Sequence, residues 1–188
     1  MDVLALQVVT VGPGATARFD AMDARHEYSE AFFLHGLAVQ TAEAATEHLF
    51  LRMRSELGGK VGVIACDIRD GAAVDAMMEE IWREAPIDVL VNNAAATFIA
   101  QTEHLSSRAA DAILAPTLHG AMYCTLAAGR RWIESGHKGV VLSILSTSTI
   151  TGRAFTVPSA MAKSAVLAMT RSLAVEWGPK GVRTVAIA

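Results

Sequence analysis

The chain predicts an α/β fold, a doubly wound parallel sheet in a single domain. Three observations carry that expectation. From Lys60 onward, short β-rich runs alternate with stretches of helical apolar spacing, the rhythm of strand–helix–strand units with right-handed crossovers. The runs "IDVLVNNA" and "GVVLSILS" are continuously apolar, as expected of strands covered on both faces. The 188 residues are 52% hydrophobic and 19% charged, enough to build a sizeable core and too apolar for disorder.

Each element follows in order. "LQVVT" reads as a first strand, and "EAFFLHGLAVQ" as a helix end followed by a second strand. "TAEAATEHLFLRMRSEL" is a helix with Ala45, Leu49, Met53 and Leu57 along one side. "KVGVIACD" reads as a short strand. "DGAAVDAMMEEIWREA" is a helix with Val74, Met77, Met78 and Ile81 at helical spacing. Ile87–Asn93 is expected to be central and fully buried. Ser106 or Ser107 caps a long helix reaching about to Trp132, bent at Pro116. "GVVLSILS" follows as a strand, and then a helix that Gly178 and Pro179 stop. "GVRTVAIA" is the last strand.

Composition also excludes functions. A formal charge of −3 gives no electrostatic case for a nucleic-acid partner. No run approaches the roughly 20 apolar residues of a membrane span. The N-terminus lacks the basic region of a secretory signal, so a cytoplasmic location is expected. The six histidines show no zinc-ligand spacing, and no metal site is expected. Cys66 and Cys124 read as two core thiols in a reducing compartment.

The motifs "CDIRD", "IDVLVNNAAATF", "VVLSILST" and "VPSAMAKSAVLAMTRSLAVEWGPKGVRTVAIA" stand in that order. Together they resemble the short-chain dehydrogenase/reductase family, and within it the 2,4-dienoyl-CoA reductase branch. The resemblance covers roughly Ala31 to the C-terminus. It implies a Rossmann-like sheet and NAD or NADP as cofactor. It further implies an acyl-CoA-type substrate of fatty acid β-oxidation and a homo-oligomer, by family a tetramer. Small residues at Ala115, Gly120 and Ala121 would let the long helix approach a second copy.

The resemblance also assigns residues. Asp67 and Ile68 would lie near the adenine, and Asn93, Ala94 and Ala95 along the cofactor. Lys163 would donate to the nicotinamide ribose hydroxyls; an ammonium has three donors and suits a diol. Ser159, Ser148, Ser146 and Thr97 stand where the family places its catalytic groups. Arg69, Phe98 and Ser106 would meet the thioester substrate. Asp67 also fits a turn or helix-capping carboxylate and Lys163 a solvated helix residue, each the weaker of its two readings. Arg69, Phe98 and Ser106 are equally a surface arginine, a core aromatic and a helix cap.

Three departures bear on function. A pyrophosphate needs glycines at fixed spacing before a helix; here only Gly12 and Gly14 follow the first strand, so weak cofactor binding is expected. The tyrosine that most members place four residues before the lysine is Ser159, and the earlier tyrosine of the dienoyl branch is Ser148. The chain stops at "AIA", where the family continues with a substrate lid, so a C-terminal truncation is expected. Two functions of different class fit this pattern: a dienoyl- or enoyl-thioester reductase, and a non-catalytic Rossmann-like fragment or interaction module.

Overall fold

The computed structural model describes the backbone of Val3–Leu6, residues Arg18, Ala21, Met22 and Arg25, and the whole of 62–188. The chain divides into two compact units, one formed by Met1–Gln7 with Ala65–Ala188 and one by Val8–Ile64. Nearly all of the second unit lies outside the described residues. So do the second strand, the helix "TAEAATEHLFLRMRSEL", Gly12 and Gly14.

The first unit is built on four parallel strands in the order β1 (Val3–Leu6), β2 (Val89–Asn92), β3 (Gly139–Ile144) and β4 (Val182–Ile187). Val3 pairs with Val89, Val89 with Val140 and Val140 with Arg183, which sets the register across the sheet. Between the strands lie helices α1 (Gly71–Glu84), α2 (Ser107–Leu114), α3 (Ala121–Ser135), α4 (Ser148–Thr151) and α5 (Val157–Trp177). The parallel α/β architecture is as the sequence predicts.

Each helix has a local cause. Asp70 caps α1, its carboxylate accepting from the backbone N–H groups of Ala72 at 2.9 Å and Ala73 at 3.3 Å. Val74, Met77 and Met78 then fall on its buried side. Ser106 caps α2 through Oγ, which accepts from Ala109 N at 3.2 Å. Pro116 sits in a π-helical segment, Ala115–Gly120, that joins α2 to α3. The expected bend is therefore a widened turn, the form helices take where a residue is inserted in the hydrogen-bond ladder. Pro158 stands at the start of α5, where its missing N–H costs nothing. A 3₁₀ turn at Gly178–Lys180 stops that helix, and left-handed Gly181 (φ 86°) leads into β4.

The core sits between one sheet face and α3 and α5. Leu90, Asn92, Val141, Ser143, Val182 and Thr184 are buried on that face. Trp132 of α3 is fully buried and donates from Nε1 to Ile87 O at 2.6 Å. Its indole lies where a Cβ on Gly139 would be, so only glycine fits at the start of β3. Thr184 Oγ1 donates to Thr170 O at 2.7 Å and ties β4 to α5.

Several expectations need correction. β2 is central but not fully buried: Leu90 and Asn92 are buried, while Val89 and Val91 are half-buried. The alternation repeats along β3 and β4, because the described helices packed on the sheet lie against the buried set. "KVGVIACD" forms no strand over 62–66; a strand needs a ladder partner, and no described residue pairs with it. Gly120 and Ala121 are buried, and the Ile68 side chain lies 2.6 Å from where a Gly120 Cβ would stand. Those two residues pack against this chain's own core, while Ala115 is half-buried. Cys124 is a core thiol as expected, but Cys66 is only half-buried.

Among the described residues, no helix is long and apolar enough to cross a membrane. Nor could any group of three His, Cys, Asp or Glu among them hold a metal ion.

Candidate active site

The carboxyl ends of β2 and β3 open a cleft of about 300 Å³. Parallel strands present ligands at this edge because the crossover helices leave it uncovered. Asn93, Ala95, Ala96 and Thr97 line one side, where the chain leaves β2. Ile144, Leu145, Ser146 and Ser148 line another, where it leaves β3. Arg153, Thr156, Ser159 and Lys163 complete the wall from the loop before α5 and its first two turns.

Lys163 is the most constrained of these groups. It lies in the second turn of α5, is only 7% exposed, and donates from Nζ to Ile144 O at 2.5 Å. No described carboxylate pairs with it. Burial therefore pushes its ammonium below the usual lysine range. Two of its three donors have no protein acceptor among the described residues. Ser146 Oγ and Ser148 Oγ stand 3.0 Å apart across the turn that opens α4. Thr117, from the π-helical segment, braces the opposite side. Its Oγ1 accepts from Ala96 N at 2.9 Å and lies 3.3 Å from Ala96 O, to which it donates.

Of the residues expected to act here, Asn93, Ala95, Thr97, Ser146, Ser148, Ser159 and Lys163 are brought together in the cleft. Six are not in its lining. Asp67 and Arg69 hold each other: Arg69 Nη2 reaches Asp67 Oδ2 at 2.6 Å and Nε reaches Oδ1 at 2.9 Å. Hydrogen bonds from Arg69 keep the Asp67 carboxyl below its usual range. Both side chains are exposed, so the pair contributes little to stability. The Ile68 and Ala94 side chains are buried, Phe98 is half-buried, and Ser106 serves as the α2 cap. Gly12 and Gly14 fall outside the described residues.

Sequence reasoning missed two contributors. Thr117 carried no periodic signal as a clamp, since its partner lies 21 residues earlier in the chain. Arg153 follows Gly152 in a loop without apolar period; its signal was a lone cation between a strand and the lysine helix.

The model of the short chain dehydrogenase family matches residues 26–188. The chain belongs to that family. It is 42% identical over 132 residues to the Bacillus subtilis protein named "Probable 2,4-dienoyl-CoA reductase", covering 69% of this chain and 52% of that one. It is 33% identical over 135 residues to the D-threitol dehydrogenase of Mycolicibacterium smegmatis, covering 70% and 52%. Among solved structures it resembles a short chain dehydrogenase from Bacillus anthracis, with a TM-score of 0.65 and 39% identity over 66% of this chain and 53% of that one. The chain spans about half the length of these relatives.

Dehydrogenases of this family use NAD or NADP. The described part of the site fits the nicotinamide-ribose end of such a dinucleotide. A buried ammonium with unused donors beside a strand's carboxyl end suits a ribose diol, and Asn93 lines the same cleft.

Proposed function

We propose that this chain is an NAD(P)H-dependent reductase of 2,4-dienoyl or enoyl thioesters. The observation that carries this reading is the character of the cleft. Its described lining offers Lys163, Arg153, three serines and two threonines, and no tyrosine, histidine or carboxylate. Ketone reduction needs a proton donor of tuned pKa at the alkoxide, and a serine hydroxyl is too weak an acid. Reduction of a conjugated thioester needs only hydrogen-bond donors that hold an enolate oxygen.

The bound dinucleotide would supply a hydride to the conjugated alkene, and water would supply the proton that the enolate carbon then takes up. The protein's part is to orient and to stabilise. Lys163 would hold the ribose hydroxyls, while its bond to Ile144 O fixes where its charge lies. Ser148 and Ser159 would donate to the thioester oxygen, with Ser148 oriented by Ser146. Thr117 would keep Ala96, and with it the turn Asn93–Thr97, in place. The similarity to a protein named as a dienoyl-CoA reductase supports the substrate class, and it exceeds the similarity to the threitol dehydrogenase. The same reading assigns a cytoplasmic homo-oligomer acting in fatty acid β-oxidation.

The test is steady-state oxidation of NADPH and NADH with a 2,4-hexadienoyl thioester, beside a simple ketone and a polyol with the oxidised cofactors. Turnover of the thioester alone is expected. Preferred turnover of the ketone or polyol would refute the reading.

A further inference from the structure

We infer that Arg153 is the charged donor for the thioester enolate, replacing the tyrosine that this cleft lacks. The inference rests on the thioester reading above and adds the residue that makes it work.

The loop Gly152–Thr156 places Arg153 in the lining of the cleft. Gly152 and Phe155 both have positive φ, 68° and 66°, which is uncommon for a side chain as large as Phe155. The loop is held at both ends of that distortion. Phe155 O accepts from Ala100 N at 3.1 Å, which joins the loop to the chain leaving β2. Thr156 Oγ1 donates to Arg153 O at 3.1 Å. Strained backbone that the surroundings over-determine is found where a side chain must be aimed.

Charge gives the second argument. Among the described residues lining the cleft, Lys163 and Arg153 are the charged ones, and both are cations. Arg153 forms no ion pair or side-chain hydrogen bond among the described residues, whereas Arg69, Arg83 and Arg131 each hold a carboxylate. Its donor fork is therefore free for a ligand. Lys163 is tied to Ile144 O and buried beneath. Ser148 and Ser159 are neutral donors and bring no positive charge to offset that of an enolate. A cleft of about 300 Å³ brings all of these groups within the span of one small acyl group. The phosphates of a coenzyme A thioester stand at the far end of its pantetheine arm, outside a space of that size. On the thioester reading, the anion Arg153 meets is at the reacting end, on the thioester oxygen.

The test uses enolisation without turnover. An acetoacetyl thioester gives up its C2 proton to the buffer, and the resulting enolate absorbs in the near ultraviolet. Wild-type protein is mixed with this thioester and, separately, with a saturated butyryl thioester, with no dinucleotide present. Arg153 is exposed, so its variants keep the fold, which a thermal melt verifies. We expect Arg153→Gln to weaken the butyryl thioester only slightly but to lower the enolate affinity about 10- to 100-fold. Arg153→Lys should recover part of the loss, since it returns the charge without the fork. Equal enolate bands in wild type and Arg153→Gln would overturn the inference. So would a wild type that binds butyryl thioester with no enolate band, a result that leaves the thioester reading intact. Failure of the wild type to bind either thioester would overturn both.

Discussion

Replacing Thr117 with valine removes one hydroxyl while keeping the side chain's shape. The residue is 1% exposed, so no water takes the hydroxyl's place. Two backbone groups of Ala96 then lose their partner: the N–H at 2.9 Å and the carbonyl at 3.3 Å. A buried polar group left unpaired costs about 1–3 kcal/mol. Ala96 is only half-buried, so solvent recovers part of that. The expected loss is about 1–3 kcal/mol in total, or a melting point lowered by roughly 3–10 °C in a domain of this size. The turn Asn93–Thr97 should also loosen, and thioester reduction should fall about tenfold, the equivalent of about 1.4 kcal/mol at the cleft. Thr117→Ser keeps the hydroxyl and should stay near wild type in activity. The assays are a calorimetric melt and steady-state NADPH oxidation. A Thr117→Val protein that melts within about 1 °C of wild type and turns over equally would refute the clamp.

Other expectations follow from the same geometry. Lys163 has its folded pKa below its unfolded value, so between those two values the unfolded state binds more protons and stability rises with pH. Lys163→Met should flatten that rise in alkaline melts up to about the unfolded lysine value, near pH 10.4. Cys124 works in the opposite sense: burial pushes its thiol from the ordinary value of 9.0 up to about 12, so stability falls as pH rises above 9.0. Cys124→Ala should reduce the alkaline loss, seen as a smaller drop in melting point between pH 9 and pH 11. Gly139→Ala drives a methyl into the Trp132 ring and should destabilise by about 1–3 kcal/mol or more, measured by urea unfolding. Asp67→Asn breaks an exposed pair and should change stability by less than about 1 kcal/mol.

Much of this fold was legible in the sequence, for identifiable reasons. β3, β4 and α5 announce themselves by unbroken apolar runs and by a Gly-Pro stop, signals that depend on nothing distant. The serine cap of α2 and the irregularity at Pro116 are equally local. The one-sided burial of β2 was not legible, because an apolar run such as "VLV" reads alike whether one face or two are covered. Gly120 looked like a surface for a partner, since sequence cannot show that Ile68 fills the space beside it. At the site, Asn93, Ser146 and the loop before Lys163 were readable as strand ends, while Lys163, Ser148 and Ser159 were singled out by the resemblance. Asp67 and Arg69 were read as separate ligand contacts, yet two residues apart in a turn they satisfy each other. Arg153 and Thr117 required tertiary structure: one is placed by a loop with positive-φ residues, the other by a contact across 21 residues.

The central claim is that the cleft at Lys163 holds the nicotinamide end of a dinucleotide. The most direct measurement is titration of wild type and Lys163→Met with NADH and NADPH, followed by nicotinamide fluorescence. The wild type should bind saturably and the variant about tenfold or more weakly, since a charged hydrogen bond contributes about 1.5–3 kcal/mol. The melting point of Lys163→Met at neutral pH should not fall, because the substitution also removes a buried charge. Equal affinity of the two proteins for both dinucleotides, or a variant that melts far lower while binding as wild type does, would contradict it.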